Sequence, residues 1–233
     1  MSAIFKREFK SYFSTPIGFV IVAAFVLFSG MFFSVIYASG SPNIEAVVST
    51  LSTVVIFATP FITMRLISED RRQKVDQALL TAPISVTDIV LGKFFAALAL
   101  FCLGISVTLV YQFIVTALVS VNWLIFLYSF LGIILLGCVM VSIGMFISSL
   151  TESPVVSAAL TFAVFLAVML LGSYAASNDS AVLTAINSAV SFIDRFNSFC
   201  TGIFNLADVV YMVSVTFLFI VLTVRSVEKR RWA

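Results

Sequence analysis

The sequence predicts an all-α integral membrane protein with six transmembrane helices and both termini on the cytoplasmic side. Three observations carry that reading. Of 233 residues, 61% are hydrophobic and 10% charged, against about 25% charged in a soluble domain. Mean hydropathy is +1.17, and a water-facing surface needs polar cover that such a chain cannot supply. Charge-free runs recur at a length that fits a bilayer, since about 20 helical residues cross a hydrocarbon core of about 30 Å. The charge is also gathered: 9 of the 24 charged residues lie between Arg65 and Lys93.

The elements follow in order within one domain, residues 1–233. Ser2–Phe13 reads as an interfacial helix: Phe5, Phe9 and Phe13 recur every four residues with Ile4 and Tyr12 beside them, and Lys6, Arg7 and Lys10 take the other side. Such a helix lies along the inner membrane surface; a plain polar flank is the alternative. Span one is Pro16–Ala38, with Ser14 or Thr15 as N-cap and Pro16 at the first helical position. Its apolar region exceeds the roughly 7–15 residues of a signal peptide, so it is read as a span, with cleavage after "YAS" as the rival. Span two is Ile44–Ile67, and Pro60 within it should kink the helix.

Phe94–Thr151 is uncharged for 58 residues, too long for one crossing. "VSVNW" divides it into span three, Ile89–Leu118, and span four, Trp123–Leu150. Span five is Pro154–Ala176 and span six Val209–Val224. Ala159, Ala163 and Ala167 repeat every four residues in span five, as do Gly144 and Ser148 in span four. Small residues let helices approach closely in lipid, within one subunit or between two.

Residues 180–206 form the largest external piece. Leu183, Ile186, Val190, Ile193 and Phe196 step by three or four, giving one apolar face, while Asp194 and Arg195 make a full crossing costly. The segment reads as a re-entrant helix dipping into the outer leaflet and broken near Gly202, with a covered external loop as the alternative. With the N-terminus inside, 12 of the 13 Lys and Arg residues fall on the cytoplasmic side and only Arg195 outside, which is the positive-inside bias.

Composition also excludes functions. Histidine is absent, which removes the commonest general base and metal ligand. Cys102, Cys138 and Cys200 show no metal or redox spacing; Cys102 and Cys138, which sit in apolar runs, read as small apolar packing residues, and Cys200 is left open. The span interiors carry no paired acids and no Ser/Lys dyad, which argues against an intramembrane enzyme. A net charge of +2 gives no argument for nucleic-acid binding. The one Gly-Lys pair, Gly92-Lys93, lacks the rest of a phosphate-binding G-x-x-x-x-G-K-[ST] loop, so ATP hydrolysis by this chain is not expected.

The charged segment "RLISEDRRQKVDQALLTAPIS" is more than a topology anchor. Ser68 can N-cap a helix whose first turn holds Glu69 and Asp70. Asp70 and Lys74 stand four apart in the favourable order. Val75, Ala78, Leu79 and Ala82 form an apolar edge, and Pro83 stops the helix. Ser85-Val-Thr-Asp88 matches a loose capping box that starts span three. Lys93, a turn further, can snorkel to the lipid headgroups. A solvated connector that only enforces topology is the alternative to a helix over residues 68–82.

The stretch "RLISEDRRQKVDQALLTAPISVTDIVLGKFFAA" resembles the signature segment of type 2 ATP-binding-cassette (ABC) transporter permeases, particularly the gliding-motility-type branch. The matching positions are Glu69, Asp70, Arg71 and Arg72; then Leu79, Leu80, Thr81 and Pro83; then Ile89 to Lys93. "FKREFKSYFSTPIGFV" and "FCTGIFNLADVVYMVSVTFLFIVLTVRSVEKRRW" resemble the family's opening and close. The family often has Gly-Thr with Glu before the leucines, where this chain has "KVDQALL".

The resemblance implies a permease subunit of an ABC exporter in the cell's inner membrane. This subunit would bind no cofactor itself, with ATP and Mg held by a separate cytoplasmic ATPase subunit. Residues 68–82 would be the coupling helix, with Glu69, Asp70, Arg71, Arg72, Lys74, Asp76, Leu79, Leu80 and Pro83 as ATPase-coupling residues. Two permease subunits, alike or different, would enclose a substrate path along spans two and five, with Thr53, Phe57, Phe162 and Phe165 as candidate path residues. A self-sufficient channel or ion-coupled transporter is the rival class, although such proteins usually place ionisable residues in the membrane; Gln112 is the most polar member of the span interiors here. An inert membrane scaffold is a further alternative.

Overall fold

A computed structural model describes residues 1–40, 43–73, 85–119, 122–177, 187 and 190–231. Ten helices run through these residues: α1 (Ser2–Ser14), α2 (Pro16–Ala38), α3 (Ile44–Thr63), α4 (Ser68–Arg72), α5 (Val86–Ile105), α6 (Val107–Leu118), α7 (Trp123–Leu150), α8 (Pro154–Ser177), α9 (Phe192–Cys200) and α10 (Leu206–Arg231). Six stretches are long and apolar enough to cross a membrane by length and composition: Pro16–Ala38, Ile44–Arg72, Val86–Leu118, Trp123–Leu150, Pro154–Ala175 and Leu206–Lys229.

Local chemistry explains the helix starts. Pro16 occupies the first turn of α2, after Thr15 in extended backbone, where its missing N–H costs nothing. The Asn122 side chain accepts from the Leu124 amide at 3.1 Å and opens α7. Ser85 Oγ accepts from the Asp88 amide at 3.1 Å and donates to the Asp88 carboxylate at 2.6 Å, opening α5 as the capping-box spacing predicts.

Three details depart from the sequence reading. The third apolar run divides at Ser106 into α5 and α6. There the Ser106 hydroxyl donates to the Leu103 carbonyl at 2.7 Å and Thr108 to the Ile105 carbonyl at 2.8 Å, so hydroxyls compete for helix carbonyls. α10 runs past Val224 to Arg231, with Arg225 and Glu228 pairing at 3.5 Å one turn apart. In α9 the buried face is Phe192, Phe196 and Phe199, whereas Ile193 is half-buried and Val190 exposed. Phe196 of the face read from the sequence is buried, together with two further rings, Phe192 and Phe199. Leu183 and Ile186 lie outside the described residues.

The bundle is organised on α7, which packs against α3, α5, α8, α9 and α10. Phe126, Leu136, Val139, Met140 and Met145 of α7 are fully buried. A Cβ on Gly144 would lie 2.4 Å from Thr63 Oγ1, so the missing side chain is what lets α3 and α7 meet at that level. The alanine stripe behaves differently: Ala159, Ala163 and Ala167 all sit on the exposed side of α8. Arg195 is neutralised within the chain by Asp208 at 2.7 Å and stacks 4.0 Å above the Tyr211 ring.

Gly144→Val is expected to wedge α3 from α7 and destabilise the subunit by about 1–3 kcal/mol, whereas Ala163→Val, on the exposed face, should leave stability unchanged. Thermal unfolding of the two variants in one detergent checks the contrast.

Candidate functional site

The charged segment begins where α3 ends. Met64–Ile67 turn, and α4 starts directly beneath the end of α7. A buried helix start leaves amide groups without partners. Here the amides of Ile67 and Ser68 both donate to Ser148 Oγ on α7, at 3.2 and 3.1 Å. The cap of α4 therefore comes from a residue eighty positions away. Ser68, expected to be the N-cap, lies inside the first turn, and its hydroxyl donates to the Met64 carbonyl.

Each charge of α4 has a distinct environment. Glu69 takes a two-pronged contact from Arg65, through Nε and through Nη2 at 2.6 Å. Arg65 Nη1 also donates to Thr15 Oγ1 at 3.3 Å. Arg71 is 8% exposed. Its guanidinium donates to the carbonyls of Ser149 and of Thr151, the latter at 3.3 Å. Those carbonyls belong to the end of α7, where the helix dipole favours a cation. Arg72 and Gln73 are exposed.

Asp70 faces the other way. Its expected partner Lys74 lies outside the described residues, and its carboxylate sits 2.7 Å from Lys93 Nζ. Glu8 of α1 lies 3.2 Å from the same ammonium. Arg7 borders the pair, 2.7 Å from Glu8 and 3.7 Å from Asp70. The Lys93 side chain is 3% exposed, so it does not snorkel to the headgroups; two carboxylates compensate its charge inside the protein. Among the described residues, no three Cys, Asp or Glu side chains gather in metal-binding geometry.

α1 is held at further points. Tyr12 is buried and its hydroxyl donates to the Ile62 carbonyl at 2.9 Å. Burial, then the negative charge of Glu8, push the Tyr12 phenol well above its ordinary pKa, so it stays a neutral donor. Gly92, the neighbour of Lys93, faces Ile4: a Cβ there would lie 2.9 Å from Ile4 Cγ2.

Glu69, Asp70, Arg71 and Arg72 thus stand together on one short helix, while Lys74, Asp76, Leu79, Leu80 and Pro83 lie outside the described residues. Of the candidate path residues, Thr53 and Phe57 share an exposed face of α3. The Phe57 ring lies 5.3 Å from that of Phe162 on α8. Phe165 is 1% exposed and packs inside the subunit. Phe57 and Phe61 also border an apolar groove of about 370 Å³ between α2 and α3. Sequence reasoning missed Ser148 as the partner of α4 and Glu8 as a partner of Lys93. The only signal for Ser148 was its place in a small-residue repeat, and Glu8 gave none.

Arg71→Met is expected to leave the α7 carbonyls without their charged donor and to lower stability by roughly 2–3 kcal/mol. Arg72→Met, at an exposed position, should cost almost nothing. Melting of the isolated subunit in detergent, with no ATPase present, distinguishes the two.

A family model described as ABC-2 type transporter matches residues 1–183. Comparison with curated proteins gives no match. The family match covers most of a chain whose apolar helices could span a membrane six times and whose charge is built around one short helix at their foot. The chain belongs to the ABC-2 type transporter family and is a membrane permease, the non-catalytic transmembrane component of an ABC transporter.

Proposed function

We propose that this permease serves an exporter of the gliding-motility-type branch, and that the segment opened by α4, residues 68–82, is its coupling helix. Permeases of this family work with an ABC ATPase subunit, and the segment would dock in a groove of that cytoplasmic partner, which holds ATP and Mg. The observation that carries the reading is the foot of α3. α4 continues directly from a candidate span and is fixed to α7 by Ser148 and Arg71, so a push on it is delivered to the bundle. Arg72 and Gln73 point to solvent and are open to a partner.

The remaining parts of the proposal follow. The termini are cytoplasmic, in the inner membrane, with α1 along its inner surface and residues 180–206 re-entrant from the outer side; the distribution of cations supports this. Two permease subunits, alike or different, enclose the path. The uncovered faces of α2 and α8, where only 17% of each span is buried, and the exposed Ala159–Ala163–Ala167 stripe support a second subunit. Thr53, Phe57 and Phe162 line the path side of α3 and α8. Phe165 supports that wall from behind.

Arg72→Glu is expected to weaken association with the cognate ATPase about tenfold, or about 1.4 kcal/mol, without changing the melting temperature of the permease. Co-purification from gentle detergent, followed by titration of the ATPase, measures this. Unchanged affinity for Arg72→Glu and for Lys74→Glu would remove the docking assignment.

A further inference from the structure

We infer that Lys93 is a positioning residue for coupled transport: its ammonium latches α1 to α4, so that α1 moves with the coupling segment. This rests on the coupling reading of α4 and goes beyond it, because it adds a second recipient of the ATPase's push. The observations are geometric. Lys93 sits on α5, and its Nζ lies 2.7 Å from Asp70 of α4 and 3.2 Å from Glu8 of α1. One buried cation thus joins three elements that are remote in sequence.

A buried ion pair is weak as a source of stability, because desolvation offsets much of the Coulombic gain. Its strength is positional: separating either carboxylate from Lys93 removes part of the compensation around a nearly buried ammonium, which is unfavourable. Small rigid displacements of α4 therefore carry Glu8 along. Arg7, within 4 Å of both carboxylates, adds a second cation to the same cluster. Around this point α1 is seated closely: Ile4 rests on Gly92 and Tyr12 donates to Ile62. Thr15 alone separates α1 from α2, so movement of α1 is passed to α2, which forms one wall of the apolar groove.

The test is hydrogen–deuterium exchange on the full permease–ATPase complex in lipid nanodiscs, with and without a non-hydrolysable ATP analogue. Wild type is expected to show a nucleotide-dependent change in exchange both at residues 68–73 and across Ser2–Ser14. Lys93→Met should keep the change at 68–73 and lose it in Ser2–Ser14, and Lys93→Arg should restore it. A merely structural role would raise exchange in Ser2–Ser14 equally in both nucleotide states and leave the difference between them intact. Should Lys93→Met fail to fold, the combination Glu8→Gln, Asp70→Asn and Lys93→Met removes all three charges together and takes its place. Retention of the Ser2–Ser14 response in an assembled Lys93→Met or triple-variant complex overturns the latch. Absence of any response at 68–73 in wild type instead overturns the coupling reading on which it rests.

Discussion

Where helices end inside an apolar protein, their last carbonyls and first amides have no water to bond, and each unmet group costs free energy. The end of α7 and the start of α4 meet under that constraint, and each supplies what the other lacks. Ser148 of α7 accepts from the first amides of α4, while Arg71 of α4 donates to the last carbonyls of α7. The exchange ties a five-residue helix, too short to be stable alone, to the helix on which the bundle is organised. The register between α3 and α7 follows from it, and Gly144 beside Thr63 keeps the two close one turn higher.

On the opposite side of α4 the same problem appears as charge rather than as backbone. Asp70, Glu8 and Lys93 are all substantially shielded from solvent, and none could be left alone there. Their mutual compensation places α1 against both α4 and α5. The interfacial character read from α1's phenylalanines and its ionic attachment are therefore properties of different faces. Phe5 stacks on Phe9, and Phe9 meets Phe13 at a tilt, along one side, while Glu8 and Tyr12 turn inward. A helix attached in this way is part of the charged foot of the bundle.

The distribution of burial separates the spans by role. The windows of α3 and α7 are 61% and 50% buried, those of α2 and α8 only 17% each. α3 is the helix that both enters the charged foot and shows an aromatic face higher up: Phe57 lies six residues above Thr63, about 9 Å along the axis. A displacement at α4 thus has a short, stiff path to the face on which Phe57 meets Phe162. α2 and α8 flank that face and leave much of their apolar surface to lipid or to another subunit.

Much of the fold was legible from composition and spacing alone. Apolar run length, Pro16, the Ser85–Asp88 box and the "VSVNW" break are local signals, and local signals decide where helices begin in lipid because the backbone has no other partner. The clustering of Glu69, Asp70, Arg71 and Arg72 at the foot of span two was legible for the same reason. Which atoms those charges touch was not. Asp70 meets Lys93, a partner that its helical spacing does not suggest; Ser68 has the chemistry of a cap, yet Ser148 provides it. Arg71 and Arg72 are adjacent and chemically identical, but one is buried against carbonyls and the other faces solvent. These choices depend on distances between residues some twenty to eighty positions apart, set by side-chain packing on α7. The sequence by itself determined the class of the protein, the helices and the place where its charge collects. Only the tertiary structure decided which charges hold the bundle together and which remain free for a partner, because burial of a charge is a property of the packed helices and not of the residue that bears it.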